Sequence, residues 1–355
     1  MNTVSIIDPL QDSHWDEFVK DHSFGWITHL SGWKSVIEKS FNHIKGYYLT
    51  LFNESNNEIQ AALPIFEVKS WLMGKRLVSI PFAAISDPLV SNSEQMYKLI
   101  DAALHFARER KINEIEIRSH QSSEFIQHNS FERNLDFKQH CISLDRNLND
   151  LMKSFHRTCV RQKIRQSLES NLNLRVADDE SDMLSFYQLY LMLRKRLGLP
   201  SQPYKFLMEL WQMFFPMDHI TLLLAEIDGK TIAGQILLKF KDRISVEFLA
   251  YDDYYRNLHP SHFLFWNSIR LAHEEGYKMF DFGRTSVFNE SLMKFKGRWS
   301  TEVLDLPNYY CSKKLNGRRK SREQSKIYGL VRTICQKMPS PVFQAFGNFC
   351  YHHLG

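Results

Sequence analysis

Hydrophobic positions along the chain switch between two periods. Over 14–21, 31–41, 94–110, 180–197, 203–215 and 261–275 they recur every three or four residues, which predicts helices. Asp12 or Ser13 can cap the first of these and Ser31 the second. Residues 148–170 read as one long basic helix. Runs at 46–52, 58–66, 112–118, 141–145 and 173–177 alternate or stay apolar over a strand's length. The segment ITLLLAEIDGKTIAGQILLKFKDRISVEFLAYDD predicts three strands, 220–227, 230–240 and 243–251, turning at Asp228-Gly229 and Lys241-Asp242. Pro260 is placed to enter the next helix and Gly276 to stop it. KMFDFG predicts another strand, followed by a short helix over 290–297 and a strand over 302–306.

This alternation implies an α/β (α+β) chain. The second half runs hairpin, strand, helix, strand, helix, strand, and the first half gives a weaker version of that order. Two similar domains are expected, at 1–146 and 147–310, followed by a basic helical tail at 311–355. The length of 355 residues agrees with two domains, and 26 Phe, 14 Tyr and 7 Trp supply ample core. No apolar stretch is long enough for a spanning helix. The first residues lack the basic and apolar regions of a secretory signal, so a cytoplasmic protein is expected. The five cysteines are scattered without zinc-ligand spacing, so no metal site is expected.

Charge is concentrated. Residues 311–337 carry a net +8, from Lys313, Lys314, Arg318, Arg319, Lys320, Arg322, Lys326, Arg332 and Lys337 against Glu323, and the rest of the chain carries −3. Such a tail fits anionic lipid at the inner face of a membrane, a polyanionic substrate or nucleic acid. A tail that packs back on the second domain is the plainer reading. The acidic body and the lack of a reader motif count against nucleic-acid recognition.

The element order resembles that of GNAT acyltransferases. Particular segments are similar to the FemABX and FemAB-like transferases, including the branch found in polysaccharide gene clusters. These are FGWITHLSGWKSV (24–36), RQKIRQSLESNLNLRV (161–176), LRKRLGLPSQPYKFLMELWQMF (193–214), FDFGRTSVFNESLMKFKGRWSTEVLDLPNYY (280–310) and KMPSPVFQAFGNFCYHHLG (337–355). The resemblance implies two tandem GNAT-like domains. It also implies transfer of an acyl or aminoacyl group to an amine on a peptidoglycan or polysaccharide precursor. Acyl-CoA or aminoacyl-tRNA would be the donor, with no tightly bound cofactor, and the acceptor would be a nucleotide- or lipid-linked envelope precursor.

Candidate chemistry sits mostly in the second half. No G-x-S-x-G nucleophile elbow is present, so direct attack by the acceptor amine is expected, without an acyl-enzyme. YYRNLHPSHF (254–263) stands where GNAT folds hold a donor pyrophosphate. It lacks their glycines, and Arg256 alone keeps a basic residue. In FDFGRT, Arg284 can bind phosphate or carboxylate, or Asp281 and Arg284 can pair to fix the loop. By resemblance Phe295 and Lys296 lie near the acyl-donor end, where a lysine can neutralise an oxyanion; Phe295 with Trp299 is equally a core pair. Arg157, Arg161 and Arg165, spaced every four residues, can line up for a diphosphate or a tRNA backbone, or form a solvated face. Lys34 stands close to the FemX-type diphosphate lysine. Arg194 can face an anionic acceptor or favour a helix C-terminus. Tyr251 and Gln235 can hydrogen-bond substrate from their strands, and Asp281, Asp252, Glu247 and His259 are the candidate bases. The rival reading is a degenerate pair that binds a linked sugar without chemistry, which the missing glycines favour.

Overall fold

The computed structural model describes residues 4–53, 55, 57–312 and 326–354. Most of the basic run, including Lys313, Lys314, Arg318, Arg319, Lys320 and Arg322, lies outside them, and so does the lipid or polyanion role expected of it. The chain forms two units, each around its own seven-stranded sheet.

The first unit comprises residues 1–136, 305–320 and 349–355. It contains β1 (Val4–Ile7), α1 (Trp15–Asp21), α2 (Ser31–Ser40), β2 (Ile44–Phe52), β3 (Ile59–Ser70), β4 (Gly74–Val78), α3 (Ser93–Glu109), β5 (Glu114–Arg118) and β6 (Glu132–Asn134). β2 and β3 form a long antiparallel pair. α3 carries the crossover to β5, which runs parallel to β4. Asn92 caps α3 by accepting from the Gln95 N–H, and the buried stripe of Met96, Leu99, Ile100 and Ala103 packs on the sheet.

The second unit comprises residues 137–304 and 321–348. It contains β7 (Phe137–Ser143), α4 (Leu148–Ser154), α5 (Gln162–Glu169), β8 (Asn173–Val176), α6 (Glu180–Leu197), α7 (Tyr204–Phe214), β9 (Ile220–Ile227), β10 (Lys230–Phe240), β11 (Arg243–Tyr251), α8 (Pro260–Glu274), β12 (Met279–Ser286), α9 (Glu290–Gly297) and β13 (Glu302–Asp305). The strand order is β13-β7-β12-β11-β10-β9-β8. Its core joins Leu223, Leu237, Phe265, Phe280 and Trp299.

The division expected at 146 gives way to a different one. β7 pairs antiparallel with β12, so Phe137–Ser143 completes the second sheet rather than closing the first. The last strand, β14 (Asn308–Ser312), returns to the first sheet between β5 and β6. Short pairings between residues far apart in sequence leave no periodic signal that could have assigned them. The single helix expected over 148–170 is also interrupted. Phe155 is extended and buried at the end of α4, and His156 begins a π-turn over Arg157–Arg161 by accepting from the Cys159 N–H.

Two helices end the chain, α10 (Lys326–Lys337) and α11 (Ser340–Tyr351). Within the second unit α10 packs on α6. Cys335 is fully buried, the Gln336 side chain donates to the Arg196 carbonyl, and Lys195 reaches Ser340. Among the described residues no helix is long and apolar enough to cross a membrane.

Candidate active site

The second unit carries a strand pair whose ladder stops early. β11 and β12 run parallel and pair only from Arg243/Met279 to Ser245/Asp281. Beyond Ser245, β11 continues to Tyr251 with no strand on that flank among the described residues. Its opposite flank stays paired to β10, where the register shifts between Ile236/Phe248 and Leu237/Val246. Glu247 is therefore the extra residue of a β-bulge. A bulge re-aims a side chain and leaves backbone groups out of the ladder. Among the described residues nothing hydrogen-bonds the half-buried Glu247 carboxyl. Burial first, and then the charge of Asp281, push it up to about 8.

Asp281 ends the ladder on β12 and is saturated. One carboxylate oxygen accepts from Arg243, from Gln139 at 3.0 Å and from Ser245 at 3.2 Å, and the other accepts from the Gly283 N–H at 2.8 Å. Burial alone would raise its pKa. The Arg243 guanidinium and these hydrogen bonds hold it below the usual carboxylate value instead. The expected base is thus an ion-paired anchor, and its partner is Arg243 rather than Arg284. Arg284 lies with its guanidinium 3.4 Å from the centre of the Phe137 ring. Gly283 is left-handed, at φ +77°, and a Cβ there would stand 2.8 Å from the Val246 carbonyl oxygen, so the close approach of β11 and β12 requires glycine.

Lys296, on α9, is 5% exposed. Its ammonium donates to the carbonyls of Gly283 at 2.8 Å and Arg284 at 3.4 Å. Burial draws it down to about 8, against the opposing pull of Asp281 and Cys141. Lysine carries three N–H donors, so one remains beyond these two bonds. Cys141, also beside Asp281, is buried with its thiol pushed up, which makes it a poor nucleophile. Phe295 packs against His262, Phe265 and Trp299, as a core residue does.

Where β11 ends, Asp253–Leu258 form a 3-10 turn and α8 begins. Pro260 has no N–H, and those of His262 and Phe263 turn back to the His259 carbonyl. His259 is left-handed and its ring meets Gln166 of α5 at 3.1 Å. Burial and the neighbouring Lys163 lower His259, and the same two causes bring His262 to about 4. This entrance offers a cationic residue and few free backbone donors in place of a glycine loop. Arg256 is exposed within the turn. Asp252 caps the same turn through the Tyr254 N–H, and Arg196 joins it to α6 by pairing with Asp253 and lying 4.9 Å over the Tyr251 ring.

The remaining candidates fall away from open anion sites or stay at the surface. Lys34, in the first unit, is 5% exposed and paired with Glu38 at 3.1 Å and Asp8 at 3.3 Å, so its charge is already answered within α2 and the loop after β1. Arg194 donates twice to the Pro200 carbonyl and holds the turn after α6. Arg157 and Arg165 are exposed, whereas Arg161 is partly covered, with a buried Nε that meets no acceptor. Gln235 is fully buried and accepts from Ser268. Arg243 was not singled out from the sequence, and Glu247 was only one of four undifferentiated bases. The signal available was an acidic residue set between Val246 and Phe248 in the apolar half of a central strand.

The model of the Acetyltransferase (GNAT) domain matches residues 154–296. No curated protein matches the chain. Among solved structures, FemX is similar with a TM-score of 0.71 at 15% identity, over 92% of this chain and 100% of that one. A tandem GNAT protein from the clavulanic acid biosynthesis pathway gives 0.58 at 9% identity, over 89% and 100%. L-PGS from Bacillus licheniformis gives 0.54 at 14%, over 92% and 98%. Residues 154–296 thus match a GNAT acetyltransferase domain, and the chain is an acyltransferase that shares its tandem-GNAT fold with FemX.

Proposed function

We propose that the protein transfers an acyl or aminoacyl group to an amine on a nucleotide- or lipid-linked precursor of the cell envelope, peptidoglycan or exopolysaccharide. The observation that carries this reading is the bulged Glu247 on the unladdered flank of β11. A carboxyl raised to about 8, with no hydrogen-bond partner among the described residues, suits proton removal from the acceptor's ammonium before the free amine attacks. The Glu247 carboxylate takes a proton from the acceptor's ammonium, and the free amine then attacks the acyl carbonyl directly. The C–N bond forms, the donor's C–S or C–O ester bond breaks, and the proton shed by the nitrogen goes to the departing thiolate or ribose alkoxide. Open N–H groups along β11 suit the developing oxyanion. Lys296 fixes the Gly283–Arg284 backbone at the end of the ladder, and its spare N–H is placed for a donor oxygen. Arg256, Lys163 and the start of α8 would face the donor's phosphates, with Arg157 and Arg161 on the adjoining turn and Arg165 on α5.

Acyl-CoA and aminoacyl-tRNA both fit as donors, and both belong to the cytoplasm, where the reading places the enzyme. A thermal-shift series with acetyl-CoA, longer acyl-CoAs, charged tRNA and UDP-N-acetyl sugars tests the reading, because a ligand of the native state raises the melting temperature. A shift with one donor class is expected, followed by transfer of its labelled acyl group to a precursor amine. The reading fails if neither donor class binds and neither gives transfer; a shift with the sugar alone would leave the rival, a binding module.

A further inference from the structure

The hairpin joining β3 to β4 in the first unit ends in three consecutive large apolar residues, all turned to solvent. Trp71 is 75% exposed, Leu72 63% and Met73 48%. The tip is built rather than loose. Ser70 pairs with Gly74, which is left-handed at φ +78°, the glycine position of a three-residue hairpin loop. The Ser70 hydroxyl accepts from the Met73 N–H at 2.9 Å and meets the His353 ring at 2.9 Å. Trp71 stands edge-on to His353 and 6.5 Å from Phe349, itself 49% exposed.

Charge completes the pattern. Lys69 and Lys75 face each other directly across the hairpin, both exposed. Lys69 reaches the buried Glu67 at 3.9 Å, a carboxylate shared with Arg110, and Lys75 pairs with no carboxylate among the described residues. Like charges opposite one another destabilise a hairpin, and an anion between them relieves the cost. Tryptophan and leucine beyond a pair of lysines match the depth profile of an anionic bilayer, with apolar groups below the phosphates and ammonium groups among them.

We propose that the Trp71–Met73 tip docks the protein on an anionic membrane, inserting Trp71 and Leu72 below the headgroups while Lys69 and Lys75 bind lipid phosphates. This does not depend on the donor or acceptor of the transfer reaction. It assigns a membrane contact to a folded element of the first unit.

Trp71 is suited to report on itself. The other six tryptophans are all 7% exposed or less, so iodide quenching of the whole chain reads Trp71. Vesicles of phosphatidylcholine with phosphatidylglycerol should protect it, and vesicles of phosphatidylcholine alone should protect it less. In co-sedimentation, the Trp71→Ser/Leu72→Ser variant should lose about tenfold or more of its affinity for the anionic vesicles. Lys75→Glu should weaken binding to anionic vesicles only. Quenching on the wild-type chain remains decisive should the double variant fold poorly. Unprotected Trp71, or equal vesicle binding by a folded double variant, overturns the proposal. So does a lipid-free wild type that sediments as a dimer through this tip and falls to a monomer in the variant.

Discussion

The two units place the same two strands in the same relation and use the end of the ladder differently. In the first, β4 and β5 pair in parallel at Leu77/Ile115 and Val78/Glu116. The next residue, Ser79, extends the tie. Its N–H donates to the Glu116 carbonyl and its hydroxyl accepts from the Arg118 N–H. Arg118 then pairs with Glu116 at 2.9 Å and donates to the carbonyls of Ile80 and Ala83 at 3.2 Å, so the following loop is pinned across the strand ends. In the second unit, the carboxylate at the matching place, Asp281, is anchored by Arg243 from the start of the neighbouring strand. The flank beyond is left to a bulge. Among the described residues, the space past the ladder is filled with protein in the first unit, and in the second it is left with an unladdered flank of β11 and a carboxyl that accepts no hydrogen bond.

Three substitutions can break or sharpen that contrast. Asp281→Asn has the largest expected effect. It removes the Asp281 charge from beside the largely covered Arg243 guanidinium and should cost about 3 kcal/mol in urea unfolding. A neutral result would show that the ladder end is held by hydrogen bonds alone.

Glu247→Gln comes next. It keeps the shape and removes the base, so kcat should fall about 100-fold with the fold intact. The wild-type pH–rate profile should rise to a limb near pH 8, where burial and Asp281 place this carboxyl, and the variant should lose that limb. Stability gives an independent sign. With a native pKa raised to about 8 from the ordinary 4.5 of a glutamate, the folded state holds a proton that the unfolded chain has released between those values. Stability from this group therefore falls as pH rises through that window. Above pH 8 the variant should melt higher than the wild type, and equal melting curves would place the carboxyl in ordinary solvent.

Arg118→Ala has the smallest expected effect. Loss of its contacts should cost about 2 kcal/mol of stability. Turnover per folded molecule should be unchanged, because the first unit's strand end is structural. A drop in turnover would bring that unit into the chemistry.

Much of the second unit was legible from the chain. The three strands at 220–227, 230–240 and 243–251 have the bounds that their apolar runs and Asp-Gly turn required. Asp228 and Gly229 both adopt the positive φ of that turn. Lys296 was marked by its motif, and the structure finds it buried beneath the end of β12. Asp281 was marked too, but with the wrong partner. A strand's sequence says which residues alternate, and nothing about which arginine arrives from a neighbouring strand.

The sequence by itself determined the local elements, the hairpins and the order that makes a tandem GNAT fold, since periodicity, capping and turn chemistry act over a few residues. Tertiary structure decided the rest. It gave β7 to the second sheet and β14 to the first, and bound Lys34 into ion pairs. The one-residue register shift opposite β10 made Glu247 the odd residue of β11. Each of these depends on pairing between segments distant in the chain, where register and burial are set by packing.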